Sequence, residues 1–387
     1  MSVAEAAGRM RPAAQQPDWG APELVAQVRG ELAGLPGLVT EHDVDALRGA
    51  LAEVAAGRAL VLQAGDCAED PAESTPSHLA RKTGLIDTLA GLLKTASRLP
   101  VLRVGRIAGQ YAKPRSAATE VVDGVELPVY RGHMVNEPEP EPSARRPDPK
   151  RILLGYWAAS EAMDALRPNR FDAPLWTSHE ALLLDYEEPM LRPRPDGRLL
   201  LTSTHWPWIG DRTRAPDGAH VAMLAAVVNP VACKVGPSTR VDELLDVVAL
   251  LDPRYEPGRL TLIARMGADR VSDLLPPLVD AVRATGRHVI WLCDPMHGNT
   301  IAVRGRKTRL LATMVREVEQ FRHVVVAAGG VAGGLHLEVT PSDVVECVGD
   351  LSQVDHVDAY TTFCDPRLNP AQAMEVVAAW SGRGGNR

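Results

Sequence analysis

The sequence has little cysteine, no long apolar run and no excess of positive charge. Its five cysteines are scattered over 387 residues, which argues against a disulfide framework and predicts a reducing, cytoplasmic setting. No window reaches the roughly 18 apolar residues of a membrane span, and Met1 to Pro17 lacks the apolar segment of a secretory signal. The formal net charge is -7, whereas nucleic-acid-binding domains are usually basic. We therefore expect neither a membrane nor a nucleic-acid partner.

The sequence does contain a regular alternation of apolar runs and helical patterns. It is 45% hydrophobic and 24% charged, as expected for a globular protein with a sizeable core. Eight apolar runs predict strands, and these are centred near residues 61, 103, 200, 233, 262, 290, 325 and 361. Because each run is followed by a helical pattern, the sequence predicts an α/β fold, a (β/α)8 TIM barrel of parallel strands.

The same patterns predict the helices and the division of the chain. Helical spacing of apolar residues indicates helices over residues 78–97, 150–166, 177–191, 241–251 and 341–348. Residues 1–56 are expected to form a short, partly helical N-terminal extension, frayed over its first 20 residues, and residues 57–387 the catalytic barrel.

The stretch from His288 to Thr300 indicates where a functional site lies. It begins as a buried strand, Val-Ile-Trp-Leu, and breaks at Asp294-Pro295, since proline cannot continue a central strand. A histidine, a glycine and an asparagine follow, which a hydrophobic core does not need. A polar cluster at the end of a strand is typical of the catalytic edge of a parallel barrel. We therefore expect an enzyme whose site lies at the C-terminal strand ends.

Four potential metal ligands follow four of the predicted strands. We call them the metal set: Cys67, His297, Glu338 and Asp365. Taken singly, such residues are more often core or solvated side chains. Their common position at one edge of a barrel favours a divalent metal site. A thiolate, an imidazole and two carboxylates favour Mn²⁺ or Co²⁺, with Zn²⁺ or Fe²⁺ as alternatives, over Mg²⁺, which avoids thiolate.

Six cations lie at the same predicted edge of a net-acidic protein. We call them the cation set: Arg106, Lys113, Arg115, Arg212, Lys234 and Arg265. Exposed ion pairs add little stability, whereas arginine and lysine suit phosphate and carboxylate groups. Lys234 interrupts an apolar strand, where an unpaired ammonium is costly. Pairing of Lys234 with a structural carboxylate is the alternative to an anionic substrate.

Seven motifs resemble the class II 3-deoxy-D-arabino-heptulosonate 7-phosphate (DAHP) synthase family. They are GDCAE at 65–69, RIAGQYAKPRS at 106–116, TSHEALLL at 177–184, WIGDRTRAPDGAH at 208–220, NPVACKVGP at 229–237, DPMHGN at 294–299 and CDPRLN at 364–369. The family condenses phosphoenolpyruvate with erythrose 4-phosphate in the first step of the shikimate pathway. The resemblance thus implies that both compounds are the substrates.

The resemblance also implies roles for individual residues. The metal set matches the family's metal ligands. The residues that match the phosphoenolpyruvate site are Arg106, Arg212, Lys234 and Arg265. Those that match the sugar-phosphate site are Lys113, Arg115 and Ser116. The expected catalytic residues are Lys234, Arg265, Asp211 and His297.

The chain departs from the family pattern in two ways. Asp211 stands where a glutamate is expected, and both the N-terminal region and residues 130–175 are short. Short members resemble the synthases of secondary metabolism, such as the phenazine-type enzymes. We also expect a homo-oligomer, a dimer or a tetramer. The alternatives are a synthase of the same family that uses an altered aldose phosphate, as in amino-shikimate routes, or a catalytically silent regulatory homologue.

Overall fold

The computed structural model describes residues 11–167, 174–355 and 359–382. The strands of this part of the chain are β1 (Leu60–Gly65), β2 (Val101–Arg106), β3 (Thr119–Val122), β4 (Val125–Pro128), β5 (Leu175–Glu180), β6 (Leu191–Pro193), β7 (Leu199–Leu201), β8 (Trp206–Ile209), β9 (Val231–Val235), β10 (Leu260–Ala264), β11 (Ile290–Cys293), β12 (Ile301–Val303), β13 (Arg306–Thr308) and β14 (Val331–Glu338).

The α-helices of the described residues surround these strands or close one end of them. They are α1 (Pro22–Gly34), α2 (Glu41–Ala55), α3 (Pro76–Ser97), α4 (Arg151–Leu166), α5 (Leu184–Glu187), α6 (Ala219–Ala226), α7 (Val241–Leu251), α8 (Val271–Ala284), α9 (Leu311–Ala327) and α10 (Pro370–Ala378). None of them is both long enough and apolar enough to cross a membrane.

Eight parallel strands close into a barrel in the order β1-β14-β11-β10-β9-β8-β5-β2, and β2 pairs with β1 to complete it. The predicted (β/α)8 barrel is therefore confirmed. The pairs β3-β4, β6-β7 and β12-β13 are antiparallel hairpins outside the barrel. Because all barrel strands run in one direction, their C-terminal ends lie at one face of the molecule.

Three of the eight predicted strands were wrong as barrel strands. The run near residue 200 is β7, which pairs only with β6 in a hairpin. The run near residue 325 belongs to α9, where Phe321 and Val325, four residues apart, are buried and Val326 is exposed. A short apolar run does not by itself distinguish strand from helix. The segment near residue 361 is not a strand, and the last barrel strand is β14.

Two predicted helices were also wrong. Residues 175–180 form β5, because their polar side chains find partners inside the barrel: Thr177 Oγ1 lies 2.8 Å from His205 Nδ1, and Ser178 Oγ donates to the Gly105 carbonyl at 3.0 Å. These tertiary contacts override the helical propensity of the local sequence. Residues 341–348 are not helical either. There the buried Glu346 accepts hydrogen bonds from Arg367.

Helix α2 closes the N-terminal end of the barrel. Leu47, Leu51 and Val54 are fully buried and belong to one apolar cluster with the inward-facing side chains of the strands, among them Trp206 and Ile290. The helix begins with a capping box, in which Thr40 and Asp43 satisfy each other's backbone N–H groups. Helix α2 therefore fills the N-terminal end of the barrel with apolar side chains. The polar residues lie at the C-terminal end.

Closure of the barrel depends on a glycine in β14. Gly334 has φ of 137°, which disfavours any residue with a Cβ atom, and an added Cβ atom would collide with the Val61 carbonyl of β1. We expect Gly334→Ala to lower the free energy of unfolding by about 3 kcal/mol or more, measured by denaturant titration. The control is Gly49→Ala in α2, where a Cβ atom meets nothing within 4 Å. Equal stability of the two variants would contradict this account.

Candidate active site

The barrel topology brings the sequence-predicted residues to one face. Glu338 ends β14 and Arg106 ends β2, while Lys234 lies in β9 near its end. Cys67 and Arg265 follow β1 and β10 within two residues. Since these strands run parallel in one closed barrel, all these side chains start from its C-terminal edge.

Three members of the metal set form a compact group. One ligand atom from each of Cys67, Glu338 and Asp365 lies within 4.8 Å of the other two. The fourth member, His297, approaches the same group, because its Nε2 lies 3.3 Å from Glu338 Oε1. Asp294 Oδ2 lies 2.7 Å from His297 Nδ1 and so fixes the ring orientation. The donor set of sulfur, nitrogen and oxygen atoms fits a divalent transition metal.

Glu338 is held between two buried guanidinium groups. Arg106 contacts its Oε1 at 3.0 Å and Arg309 its Oε2 at 2.8 Å, and the three side chains are at most 1% exposed. Burial acts to raise the pKa of the Glu338 carboxyl, but His297, Arg309 and Arg106 outweigh it and hold that pKa well below its usual value. Glu338 is therefore a carboxylate at neutral pH, ready to bind a cation.

Cys67 needs a metal to become a thiolate. It is fully buried, and burial together with a hydrogen bond to Cys364 raises the pKa of its thiol well above the usual value. The backbone N–H of Asp365 points at its Sγ, at 3.3 Å. Because a bound thiol must lose its proton, we expect metal binding at this group to release a proton.

Four of the six members of the cation set border a cavity of about 380 Å³, which His297 and Asp365 of the metal set also line. Its walls include Lys113, Arg115, Ser116, Arg212, Arg265, His297, Lys307 and Asp365. Arg212 donates to Ser116 Oγ at 2.7 Å and so joins the loop after β8 to the loop after β2. The cavity thus carries positive charge beside the candidate metal ligands, as a doubly anionic ligand requires.

Lys234 and Asp211 each form an ion pair with another residue of the site. The Lys234 ammonium forms a buried ion pair with Asp294. Burial, only partly offset by Asp294, lowers the pKa of Lys234 to about 8. Asp211, the residue that departs from the family pattern, contacts Arg265 at 2.6 Å and Arg214 at 3.1 Å. Through this ion pair, Asp211 fixes the position of the Arg265 guanidinium.

Three residues at this site were missed by sequence analysis. Arg309 holds Glu338, and Lys307 contacts Asp365 Oδ1 at 2.7 Å. Both lie in the basic Arg-Lys-Thr-Arg run at 306–309, which was the available signal. Glu180 ends β5, and its Oε1 is buried with no hydrogen-bond partner among the described residues. Its segment was misread as helical, which concealed it.

Glu180 lies in the field of the cation set. Burial raises the pKa of its carboxyl, although Lys113 and Lys234 act in the opposite direction. Gly210 leaves the space for this carboxyl, since a Cβ atom there would collide with Glu180 Oε1. A buried carboxyl with an unpaired oxygen at a strand end is a candidate for holding a water molecule or a proton.

Comparison with known proteins identifies the family of the chain. The family model described as "Class-II DAHP synthetase family" matches residues 4–173 and 170–380. The chain belongs to the class II DAHP synthase family. This confirms the family predicted from the seven motifs, and members of this family are metal-dependent.

Two relatives support the family assignment, and a solved structure supports the fold. The chain is 53% identical to a "Probable phospho-2-dehydro-3-deoxyheptonate aldolase" of Pseudomonas fluorescens, over 95% of this chain and 94% of that protein. It is 39% identical to a phospho-2-dehydro-3-deoxyheptonate aldolase of Streptomyces coelicolor, over 94% of each. A solved structure of that name from Francisella tularensis has a TM-score of 0.54 at 13% identity, covering 93% of this chain and 97% of its own, and shows the fold alone.

The ionisation of Lys234 predicts a pH dependence. The ammonium is the form that binds an anion, and with a pKa of about 8 it is present below pH 8 and lost as the pH rises through that value. We expect kcat/KM for phosphoenolpyruvate to be level below this pH and to fall about tenfold per pH unit above it. Lys234→Arg keeps its charge and should lose this step, whatever its absolute rate. A wild-type profile that stays level to about pH 10 would contradict the assignment.

Proposed function

We propose that the chain catalyses the condensation of phosphoenolpyruvate with erythrose 4-phosphate to DAHP and phosphate, with a divalent metal. The observation that carries the proposal is the convergence of Cys67, Glu338 and Asp365 within 4.8 Å, below a cavity walled by lysine and arginine. The relatives in Pseudomonas fluorescens and Streptomyces coelicolor carry the name of this activity.

Phosphoenolpyruvate is assigned to the inner part of the cation set. Its carboxylate and phosphate are two anionic groups on one small molecule. Arg106, Lys234 and Arg265 are buried or half-buried cations at the C-terminal ends of β2, β9 and β10. Arginine binds such groups through two parallel hydrogen bonds. Arg212 adds a fourth cation at the mouth.

The sugar phosphate is assigned to the outer part of the set. Lys113, Arg115 and Ser116 follow one another in the loop after β2 and border the same cavity. Lys113 Nζ lies 4.0 Å from Glu338 Oε1, so this loop touches the metal set at one end. An aldose phosphate held there by its phosphate would have its aldehyde directed towards the metal set.

The reaction forms one carbon–carbon bond, and at C2 of phosphoenolpyruvate a carbon–oxygen bond to water replaces the bond to phosphate. A divalent metal held by Cys67, His297, Glu338 and Asp365 would supply Lewis-acid polarisation of the aldehyde. C3 of phosphoenolpyruvate bonds to the aldehyde carbon, and the aldehyde oxygen takes up a proton to become a hydroxyl. Water adds at C2 and gives up a proton, and phosphate leaves from C2. Lys234 and Arg265 stabilise the negative charge on carboxylate and phosphate. Glu180 is placed to orient the water and accept its proton.

Two alternatives stay open. A synthase for an altered aldose phosphate would keep the inner cations and change the outer loop, yet here Arg212 and Ser116 join the loops after β8 and β2. A silent homologue would have lost a metal ligand or Lys234, and all of these are present. A secondary-metabolic, phenazine-type role, a homo-oligomer and a cytoplasmic location are part of the proposal and rest on the sequence alone.

Metal removal tests the proposal directly. Protein stripped by a chelator should consume no phosphoenolpyruvate in the presence of erythrose 4-phosphate, and refilling with Mn²⁺ or Co²⁺ should restore turnover and release one phosphate per DAHP. The control is the refilled protein with phosphoenolpyruvate alone, which should not turn over. Full activity of the metal-free protein would contradict the proposal.

Glu180→Gln tests the residue that sequence analysis missed. The amide keeps the size of the side chain but cannot accept the proton, so we expect kcat to fall about 100-fold while KM for each substrate changes little. The matched control is Glu161→Gln on the exposed face of α4, which should leave kcat unchanged. Wild-type kcat for Glu180→Gln would remove Glu180 from the mechanism.

A further inference from the structure

The described part of the N-terminal segment lies across the C-terminal face of the barrel. We call residues 11–20 the N-terminal strap. Its Pro12 carbonyl accepts from Ala219 N at 3.0 Å, at the start of α6. Gln16 Nε2 donates to the Leu182 carbonyl at 2.9 Å, and Trp19 Nε1 donates to Asp185 at 2.8 Å. The expectation that this segment is frayed is therefore wrong for residues 11–20, and residues 1–10 lie outside the described part of the chain.

Gln15 ties the strap to the loop that carries Arg115. Its side-chain Oε1 accepts a hydrogen bond from the backbone N–H of Arg115 at 2.8 Å. Its backbone carbonyl accepts from Arg131 at 3.4 Å. Gln15 has φ of 64°, a conformation that is costly for a residue with a Cβ atom and that persists where the surroundings impose it.

The contacts of Gln15 complete a ring of hydrogen bonds around the loop. The backbone N–H of Lys113 donates to the Arg131 carbonyl at 2.8 Å, so Arg131 braces one end of the loop while Gln15 braces both Arg131 and Arg115. Burial and the nearby charge of Arg115 lower the pKa of Arg131. Gln15 thus offers one oxygen acceptor to the backbone of Arg115 and another to the side chain of Arg131.

We propose that Gln15 is a positioning residue for the sugar phosphate: through Arg115 and Arg131 it holds the loop at 113–116 in the geometry that receives the phosphate of the aldose. The proposal rests on the assignment of that loop to the sugar phosphate in the proposed function. Gln15 acts through its neighbours and touches neither substrate. In this proposal the N-terminal strap forms part of the sugar-phosphate site.

The test is whether a variant of Gln15 changes KM for erythrose 4-phosphate but not KM for phosphoenolpyruvate. Gln15→Met keeps the side-chain length and removes the acceptor, so KM for erythrose 4-phosphate should rise about three- to tenfold, the effect of one lost hydrogen bond. KM for phosphoenolpyruvate, kcat and the melting temperature should stay unchanged. Hydrogen exchange of a peptide that spans 113–117 should become faster. The matched control is Gln27→Met on the exposed face of α1, which should change none of these.

An Arg115→Met variant separates this proposal from the one on which it rests. If Arg115→Met raises KM for erythrose 4-phosphate and Gln15→Met does not, Gln15 has no positioning role and the proposed function stands. If neither variant changes that KM, the sugar phosphate does not bind at this loop and both assignments fall. A fall in melting temperature with both KM values raised equally would show a purely structural role and overturn the proposal.

Discussion

The site depends on one buried carboxylate, Glu338, and on the charges that surround it. A lone carboxylate in the barrel interior would take up a proton, because burial penalises its charge. Arg106 and Arg309 prevent this by contacting one oxygen each. The same residue therefore links two functions. One of its oxygens lies within 4.8 Å of ligand atoms of Cys67 and Asp365 in the candidate metal group, and its partner Arg106 belongs to the cations assigned to phosphoenolpyruvate. A change in either group alters the charge balance of the other.

A polar chain inside the barrel fixes Arg106 from below. Arg106 can only donate, so His336 Nε2 accepts its hydrogen bond at 2.7 Å, and the proton of the neutral His336 ring is on Nδ1, which donates to Gln63 at 2.6 Å. Gln63 in turn donates to Ser178 at 3.0 Å, and Ser178 donates to the Gly105 carbonyl at 3.0 Å. Along this chain each side chain donates a hydrogen bond to the next group, so no bond can reverse its direction. The floor of the site is therefore a single ordered network, which is what preorganised charge requires.

The sequence predicted the enzyme family correctly but placed several strands and helices wrongly. Asp365 was placed after a strand near residue 361, yet it lies in an irregular segment. The structure nevertheless brings it beside Cys67 and Glu338. Glu180 was missed because the sequence at 177–184 has helical propensity. Only contacts in the folded chain, such as the hydrogen bond from Ser178 to Gly105, show that this segment is β5. Gln15 has no local signal at all, since its partner Arg115 is 100 residues away. Residues whose role depends on a distant contact are visible only in the folded chain.

The most direct test of this account is the environment of the metal itself. X-ray absorption at the metal edge of Mn²⁺- or Co²⁺-loaded protein measures which atoms surround the ion. The account predicts one sulfur neighbour together with nitrogen and oxygen neighbours, from Cys67, His297, Glu338 and Asp365, and loss of the sulfur signal in Cys67→Ser. A shell of oxygen and nitrogen alone in the wild-type protein, or a sulfur neighbour that persists in Cys67→Ser, would contradict it.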